Sequence, residues 1–516
     1  MDGQQEPSLI HALSDPARYD HRVDSVQLVE THISWVLLAG EYAYKIKKPV
    51  SLPFVDFSSL ERRKRFCDEE LRLNRRLAPS LYLDVIPIGG SASEPELGQE
   101  PAIEYAVKMQ RFEADARVDG RLARGDVTVD DLHELARDIA EFHSSLEPAP
   151  ADSRLGSPAI VIRNALSNLR ELELTVSDAD LDAVTWLHDW TASRCIRLED
   201  AFASRKRNGF IREGHGDLHL QNLVYIDGRI TAFDALEFDP ELRWTDVMSE
   251  AAFVVMDLMA HERSDLAHEF LNRYLEITGD YGGLEVSRFY LVHRALVRAK
   301  VAEIRKQQLK SPESDGIPYL EHAVQMTARE TIPLLLITHG LSGSGKTYVT
   351  DRLVGGLPAI RIRSDLERKR LHGFAADADT ASRIGEGLYG GAANSGTYAA
   401  LARYAALGLK TRWNMIVDAA FLRRAERDMF RELAERVGAR FVVLDCTAPE
   451  SMLRERVAER RRRHRDASEA TIDVLDYQLR RVEPLGSDEQ ELAVQIDTSR
   501  SILQSALLSR VARRAA

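Results

Sequence analysis

The chain has 516 residues and a formal net charge of −12, with 44 % hydrophobic and 29 % charged residues. That length suggests several domains at ~150 residues each, and the composition excludes a mostly disordered chain. The acidic balance disfavours a general binder of nucleic acid or anionic membrane, because it would repel phosphate.

Residues 1–24 read as an N-terminal extension whose polar, acidic start is not a signal peptide. Strands are predicted over 31–38 and 41–46, flanking Ala39-Gly40, and a helix over 60–77. From 128 to 325 the pattern is mostly helical, with a Pro/Ala/Ser-rich loop over 146–158 and one short hairpin. A helix over 319–330 closes this block, so the boundary falls near 328 rather than in 312–318. Beyond it, apolar runs at 332–338, 359–362, 414–417 and 441–444 alternate with helical stretches, which argues for βαβ units and a parallel sheet. Cys67, Cys195 and Cys446 stand far apart, so no disulfide framework or zinc cluster is legible. A cytoplasmic compartment fits that usage. No apolar run reaches the ~18 residues of a membrane span.

The most specific motif is Gly340-Leu-Ser342-Gly343-Ser344-Gly345-Lys346-Thr347, which matches G-x-x-x-x-G-K-[ST] between a predicted strand and a predicted helix. Its glycines let backbone N–H groups converge on phosphate oxygens, and the helix N-terminus adds partial positive charge. Lys346 is expected to reach the β/γ-phosphates of ATP and the Thr347 hydroxyl to ligate Mg²⁺. Ser364 and Glu367 have capping-box spacing, so a helix should begin there with Asp365 in its first turn. Asp365 follows a predicted strand end, where doubly wound sheets face their ligand, and a carboxylate there can accept a proton from an attacking hydroxyl. Asp418 ends another strand and could support Mg²⁺ or position the acceptor. The arginines at 454, 456, 460–463 and 465 form either a solvated face or a lid whose guanidinium groups clamp phosphate.

These residues resemble the small P-loop kinase family, the predicted-kinase group related to the polynucleotide-kinase 5′ domain, gluconate kinase and zeta toxin. The resemblance covers about 331–510. It implies that Asp365 contacts or deprotonates the acceptor hydroxyl and that Arg456 and Arg460 close over the site. No second arginine region of the AAA type is present, which disfavours a mechanical ATPase.

In the first block, His215-Gly-Asp217-Leu-His219-Leu-Gln-Asn222 precedes two apolar runs joined by Asp227-Gly228. Asp-Gly between such runs predicts a type I′ hairpin. Counting outward from that turn sets Asn222 opposite Phe233 and beside Asp234. Amide and carboxylate oxygens converging there suit Mg²⁺, and Asp217 just upstream could orient an acceptor hydroxyl. This is the order H-x-D-x-x-x-x-N followed by a metal-binding Asp.

The block resembles the kinase-like fold of the aminoglycoside phosphotransferase and choline kinase type, over about 25–325. The resemblance implies that Lys45, in Ala43-Tyr44-Lys45, holds the α/β-phosphates and that Glu70, rather than Glu69, pairs with it. No G-x-G-x-x-G loop precedes Lys45; Glu30-Thr-His-Ile-Ser-Trp35 stands in its place. His219 occupies the position where protein kinases usually carry Lys, and no A-P-E-like segment follows, so a protein kinase is disfavoured.

The fold expected is therefore a two-domain α/β and α+β chain. Residues 25–328 would form a bilobal protein-kinase-like domain, with a small lobe over about 25–115 and a large lobe over about 116–328. Residues 329–516 would form a P-loop NTPase domain, a doubly wound parallel sheet with helices on both faces. The function expected is ATP- and Mg²⁺-dependent transfer of the γ-phosphoryl group to a hydroxyl of a small molecule, at two separate sites. The alternative is a P-loop kinase, acting on a small molecule or a nucleic-acid 5′ end, controlled by a catalytically silent ligand-sensing N-terminal domain. The acceptors and the oligomeric state are not legible.

Overall fold

The structure, a computed structural model, describes residues 8–52, 55–309, 318–328, 332–374, 391–463 and 470–515. They pack as two compact units. One comprises 1–164 with 202–257, the other 165–201 with 258–516. The second unit joins the helices that precede residue 328 to the parallel sheet that follows them in the chain, with the Ser264–Thr278 helix packed against the sheet.

The first unit is built on an antiparallel sheet. Its strands are β1 (Val26–Glu30), β2 (Ser34–Ala39), β3 (Tyr42–Lys47), β6 (Tyr82–Gly90), β7 (Pro95–Leu97) and β8 (Glu104–Gln110), in the order β1-β2-β3-β8-β6-β7. Two short strands, β4 (Ser51–Leu52) and β5 (Val55–Asp56), pair beside it in sequence. The strand expected over 31–38 begins only at Ser34, because 31–33 is the turn of the β1–β2 hairpin. Thr31 closes that turn, its N–H donating to Ser34 O at 2.9 Å and its Oγ1 accepting from Ser34 N at 3.0 Å. A threonine hydroxyl offers the backbone this alternative to the ladder.

The Leu60–Asn74 helix starts on Ser59, whose side chain accepts from Arg62 N. It buries Cys67, Glu70 and Leu73 at helical spacing, with Cys67 packed among Ala43, Tyr82 and Val107. It stops at Asn74, whose amide donates back to Glu70 O at 2.9 Å and accepts from Ala235 N at 2.8 Å. The Val129–Ser145 helix is opened by a capping box between Thr128 and Asp131. β9 (Ile211–Glu213) pairs antiparallel with β12 (Trp244–Asp246). Between them lies the predicted hairpin, β10 (Leu223–Ile226) against β11 (Arg229–Ala232). Its turn residues Asp227 and Gly228 have φ of 52° and 82°, the left-handed pair that a type I′ turn requires.

The second unit carries a parallel sheet of β13 (Leu334–His339), β14 (Ala359–Arg363), β15 (Asn414–Asp418), β16 (Arg440–Thr447) and β17 (Ala493–Asp497), in the order β14-β15-β13-β16-β17. Every residue of the central β13 is buried, as befits a strand covered on both faces. Leu334 and Leu336 pack with Val349, Leu353, Leu507 and Val511 from two helices, while the Gly391–Lys410 and Arg424–Val437 helices cover the other face. The edge strand β14 is covered in turn by the Ser264–Thr278 helix. Asn272 donates to Ala359 O at 2.9 Å and accepts from Arg361 N at 2.6 Å, so its amide satisfies groups that an edge leaves open. Among the described residues, no helix is long and apolar enough to cross a membrane.

Candidate active sites

In the first unit the hairpin brings the motif residues together as counted. Phe233 N donates to Asn222 O at 3.0 Å, which sets Asp234 just beyond Asn222 at the open end. Asp234 takes a left-handed φ of 60°, unusual for a residue with a Cβ. The Asn222 amide nitrogen donates to Asp217 O and Oδ2, both at 3.0 Å. This commits the nitrogen end of the amide and leaves Oδ1 as the atom offered to a cation. His219 Nδ1 accepts from Gln221 N at 3.2 Å, so its hydrogen sits on Nε2, 3.2 Å from Asp217 Oδ2. Two donors thus hold the same carboxylate oxygen of Asp217.

Buried charges stand beside this loop. The Lys45 ammonium lies 2.8 Å from Glu70 Oε1 and 2.6 Å from Asp234 Oδ1. Glu69 instead pairs with Arg72 and Arg243. Lys47, fully buried, shares Glu70 at 2.7 Å and also contacts Glu237. Burial by itself would raise the Glu70 pKa, but the Lys45 and Lys47 charges outweigh it and hold the carboxyl at about 2. Burial disfavours the Lys45 ammonium as well, yet Asp234 and Glu70 more than offset this and push its pKa well up. Glu237 is pushed up by burial and by Glu70, against the pull of Lys47. Three carboxylates therefore face two ammonium groups, a surplus of negative charge that suits a hard cation at Asp234 and Asn222.

Glu250 anchors the loop from below. It accepts from His143 Nε2 and His215 N, each at 3.0 Å, and from Gly216 N at 2.5 Å. Burial raises its pKa, but His143, His215 and the Gly216 amide bring it down to about 2. His215 in turn bonds Phe233 O through Nε2 at 2.9 Å, tying the Asp217 loop to the strand that leads to Asp234.

In the second unit the phosphate loop follows β13. Gly343 has φ of 82°, and a Cβ there would stand 2.7 Å from Leu453 O, so only glycine fits. The Lys346–Val354 helix begins directly after Gly345. Lys346 Nζ donates to Gly340 O at 3.0 Å and Leu341 O at 2.9 Å. Its pKa is lowered, chiefly by burial. Ser342 N donates to Gln478 Oε1 at 2.8 Å, and Ser344 is buried, its carbonyl accepting from Thr498 Oγ1 at 2.9 Å. Thr347 Oγ1 donates to Asp418 Oδ2 at 2.9 Å. The hydroxyl hydrogen is thereby taken up by the carboxylate, and the oxygen lone pairs stay available to a cation, so this pair also fits Mg²⁺.

Asp365 lies in the first turn of the Ser364–Leu371 helix, its carboxylate 3.1 Å from Arg368. The expected capping box is not formed. Arg363 is the N-cap residue, without a side-chain cap bond, and Ser364 is the first helical residue. Glu367 is buried against Arg370 instead, so it does not reach back to cap the helix. Arg456 is engaged with the loop itself. It donates to Gly343 O at 3.2 Å, Thr498 Oγ1 at 2.9 Å and Thr498 O at 2.7 Å, so it braces the loop from the Glu450–Arg463 helix rather than standing over it as a lid. Arg460 is near enough for its charge to contribute to the lowered pKa of Lys346. Arg454 pairs with Glu450 and Asp476, and Arg465 lies outside the described residues.

Sequence reasoning missed Lys47, Glu237 and Glu250. Lys47 alternates with Lys45 along β3 and so shares its face, a signal that could have been used; the two glutamates carried none.

A family model described as an AAA domain matches residues 335–485. The uncharacterized protein Rv2004c of Mycobacterium tuberculosis (strain ATCC 25618 / H37Rv) is 31 % identical over 449 residues, which span 86 % of this chain and 88 % of that protein. Among solved structures, a choline kinase from Cryptosporidium parvum Iowa II aligns over 62 % of this chain and 94 % of its own, at 13 % identity and a TM-score of 0.39. A gluconokinase from Sinorhizobium meliloti 1021 aligns over 36 % and 95 %, at 24 % identity and a TM-score of 0.25.

Proposed function

The chain belongs to the family of the mycobacterial protein Rv2004c, and from that premise we propose that it is an ATP-dependent phosphotransferase with two sites, each moving a γ-phosphoryl group to a hydroxyl of a small molecule. One observation carries the reading. The first unit keeps a complete charged set, Lys45 on Glu70 and Asp234, beside an Asp217 oriented by Asn222 and His219.

Phosphoryl transfer asks the protein mainly for positioning and charge neutralisation. At the first site Lys45, held by Glu70, binds the phosphates. Asn222 Oδ1 and the Asp234 carboxylate hold Mg²⁺, which neutralises charge on the phosphates. Asp217 accepts the hydrogen bond of the acceptor hydroxyl and takes its proton. At the second site the amides of 340–347 and Lys346 cradle the phosphates, Thr347 and Asp418 hold the cation, and Asp365 receives the acceptor proton. Arg460 adds positive charge, and Arg456 keeps the loop in shape.

A second reading has a specific observation behind it. The glycine-free turn at Thr31–Ser34 stands where kinases carry a flexible phosphate-covering loop. A short glycine-free turn closed by Thr31 and Ser34 favours a first unit that senses a ligand without turning it over. Mass spectrometry of ATP-dependent products from a pooled mixture of hydroxylated metabolites separates the two. Under the two-site reading, Asp217→Ala abolishes one product while Lys346→Met and Asp365→Ala abolish another. If Asp217→Ala leaves all products unchanged and Lys346→Met removes them all, the sensing reading replaces it.

A further inference from the structure

A second set of contacts reaches the Thr347–Asp418 pair from outside the phosphate loop. Arg361, on the edge strand β14, is 7 % exposed. Its Nε and Nη2 donate to Glu276 Oε1 at 3.1 and 2.8 Å. Its Nη1 donates to Thr350 Oγ1 at 3.2 Å and also meets Asp351. Thr350 follows Thr347 by one helical turn. Its hydroxyl lies 3.3 Å from Asp418 Oδ2, the oxygen that accepts the Thr347 hydroxyl at 2.9 Å. Glu276, Arg361, Thr350 and Asp418 therefore form a continuous buried path that ends on the carboxylate assigned to the cation under the proposed function.

The chemistry along the path has a direction. A hydroxyl has one hydrogen and two lone pairs. Because Arg361 donates to Thr350, the Thr350 hydrogen is turned toward the Thr347 carbonyl at 3.1 Å or toward Asp418. Both outcomes hold the Thr347–Asp418 pair. Arg361 itself cannot swing away. Glu276 grips two of its nitrogens, and Asn272, one turn earlier on the same helix, grips its backbone N–H at 2.6 Å. Burial would raise the Glu276 pKa, but Arg361 and Arg363 outweigh it and hold the carboxyl below its ordinary value.

We propose that Arg361, held by Glu276 of the Ser264–Thr278 helix, is a positioning residue for magnesium at Thr347 and Asp418, acting through Thr350. The proposal rests on the second site being a P-loop kinase site. It makes a helix that precedes the P-loop region in the chain part of that site's outer support. Groups that orient metal ligands from outside set the affinity of the ion as well as its geometry.

The test uses the full chain with Lys45→Met, so that nucleotide binding at the first site is silenced. A fluorescent ADP analogue is titrated in EDTA and again across a MgCl₂ series, in this background and with Thr350→Val, Glu276→Gln, Arg361→Gln or Arg361→Lys added. Thr350→Val, Glu276→Gln and Arg361→Gln are expected to raise the half-saturating Mg²⁺ concentration by ~10-fold, the usual cost of losing an outer-shell partner. Affinity in EDTA stays at the background value, and Arg361→Lys recovers part of the Mg²⁺ affinity. Superimposable Mg²⁺ curves, or a loss equal with and without Mg²⁺, overturn the proposal. Should Arg361→Gln fail to fold, Thr350→Val decides, because it keeps the shape and removes only the hydroxyl. A background protein that binds the nucleotide without any Mg²⁺ dependence overturns the P-loop kinase reading itself.

Discussion

Both units hold a half-buried lysine where phosphate is expected, and the two lysines are pushed in opposite directions. Lys45 is surrounded by fixed carboxylates and its ammonium form is strengthened. Lys346 has two backbone carbonyls for hydrogen-bond partners, and its ammonium form is weakened by burial. The lysine of the first site is thus paired with formal charges before any ligand arrives. The second is built from backbone dipoles and a helix N-terminus, which wait for an anion to complete them. One residue type can therefore serve as a fixed strut or as an incomplete half of an ion pair, depending on what faces it.

The largest effects test whether the sites are independent. Asp217→Ala should lower turnover at the first site by about 10²–10⁴-fold, the range for removing a positioned base. Lys346→Met should lower the second by roughly 10²-fold or more, as for other lost charge-stabilising donors. Neither should change the other's product, and product-resolved mass spectrometry reads both.

Stability sharpens the contrast. Glu70→Gln leaves Lys45 and Lys47 without their shared carboxylate and should cost about 3 kcal/mol, as for other broken buried pairs. Lys346→Met removes an ammonium that burial disfavours, so the nucleotide-free protein should be unchanged or more stable by about 1 kcal/mol. Denaturant unfolding without nucleotide compares them, and equal losses would erase the distinction.

The pH response should separate the units too. Glu250 is held at about 2 in the folded protein against an ordinary value of 4.5. Its carboxylate stabilises the fold fully above the ordinary value, and that share is lost as pH falls toward the folded value, about 3 kcal/mol in all. Glu250→Gln should flatten the acid limb of the stability curve. At the alkaline end, nucleotide affinity of the second site should start to fall below the ordinary lysine pKa of 10.5, because Lys346 loses its proton early. The first site should hold its affinity over the same range.

The smallest effect is a control. Lys64 pairs at the surface with Asp68, four residues on along the Leu60–Asn74 helix. Lys64→Ala should cost under about 1 kcal/mol and leave nucleotide affinity unchanged, as exposed pairs do.

Much of each site was legible because its residues sit close together in the chain. The phosphate loop is eight consecutive residues. The Asp227-Gly228 turn fixes the register that sets Asn222 by Asp234, and that geometry is local backbone stereochemistry. Arg456 shows where local reading fails. A run of arginines on a helix looks like a lid, but Arg456 bonds Gly343, 113 residues earlier in the phosphate loop, and Thr498, 42 residues later at the end of β17. The capping box at Ser364 failed similarly, since Arg370 claims Glu367.

From its residues alone, this chain determines an α+β and an α/β folding pattern, a phosphate loop, a hairpin with an Asp and an Asn at its mouth, and a lysine on a strand. Each follows from side-chain periodicity, glycine backbone freedom or turn stereochemistry, which act over a few residues. The tertiary structure decided which glutamate meets Lys45, that Lys47 and Glu237 share its charge network, and that Glu250 anchors the Asp217 loop. It also decided that Asn272 and Glu276 cover the edge strand of the parallel sheet and grip Arg361. These are buried charges and backbone edges, and in a low-dielectric interior each must find a partner wherever the fold brings one.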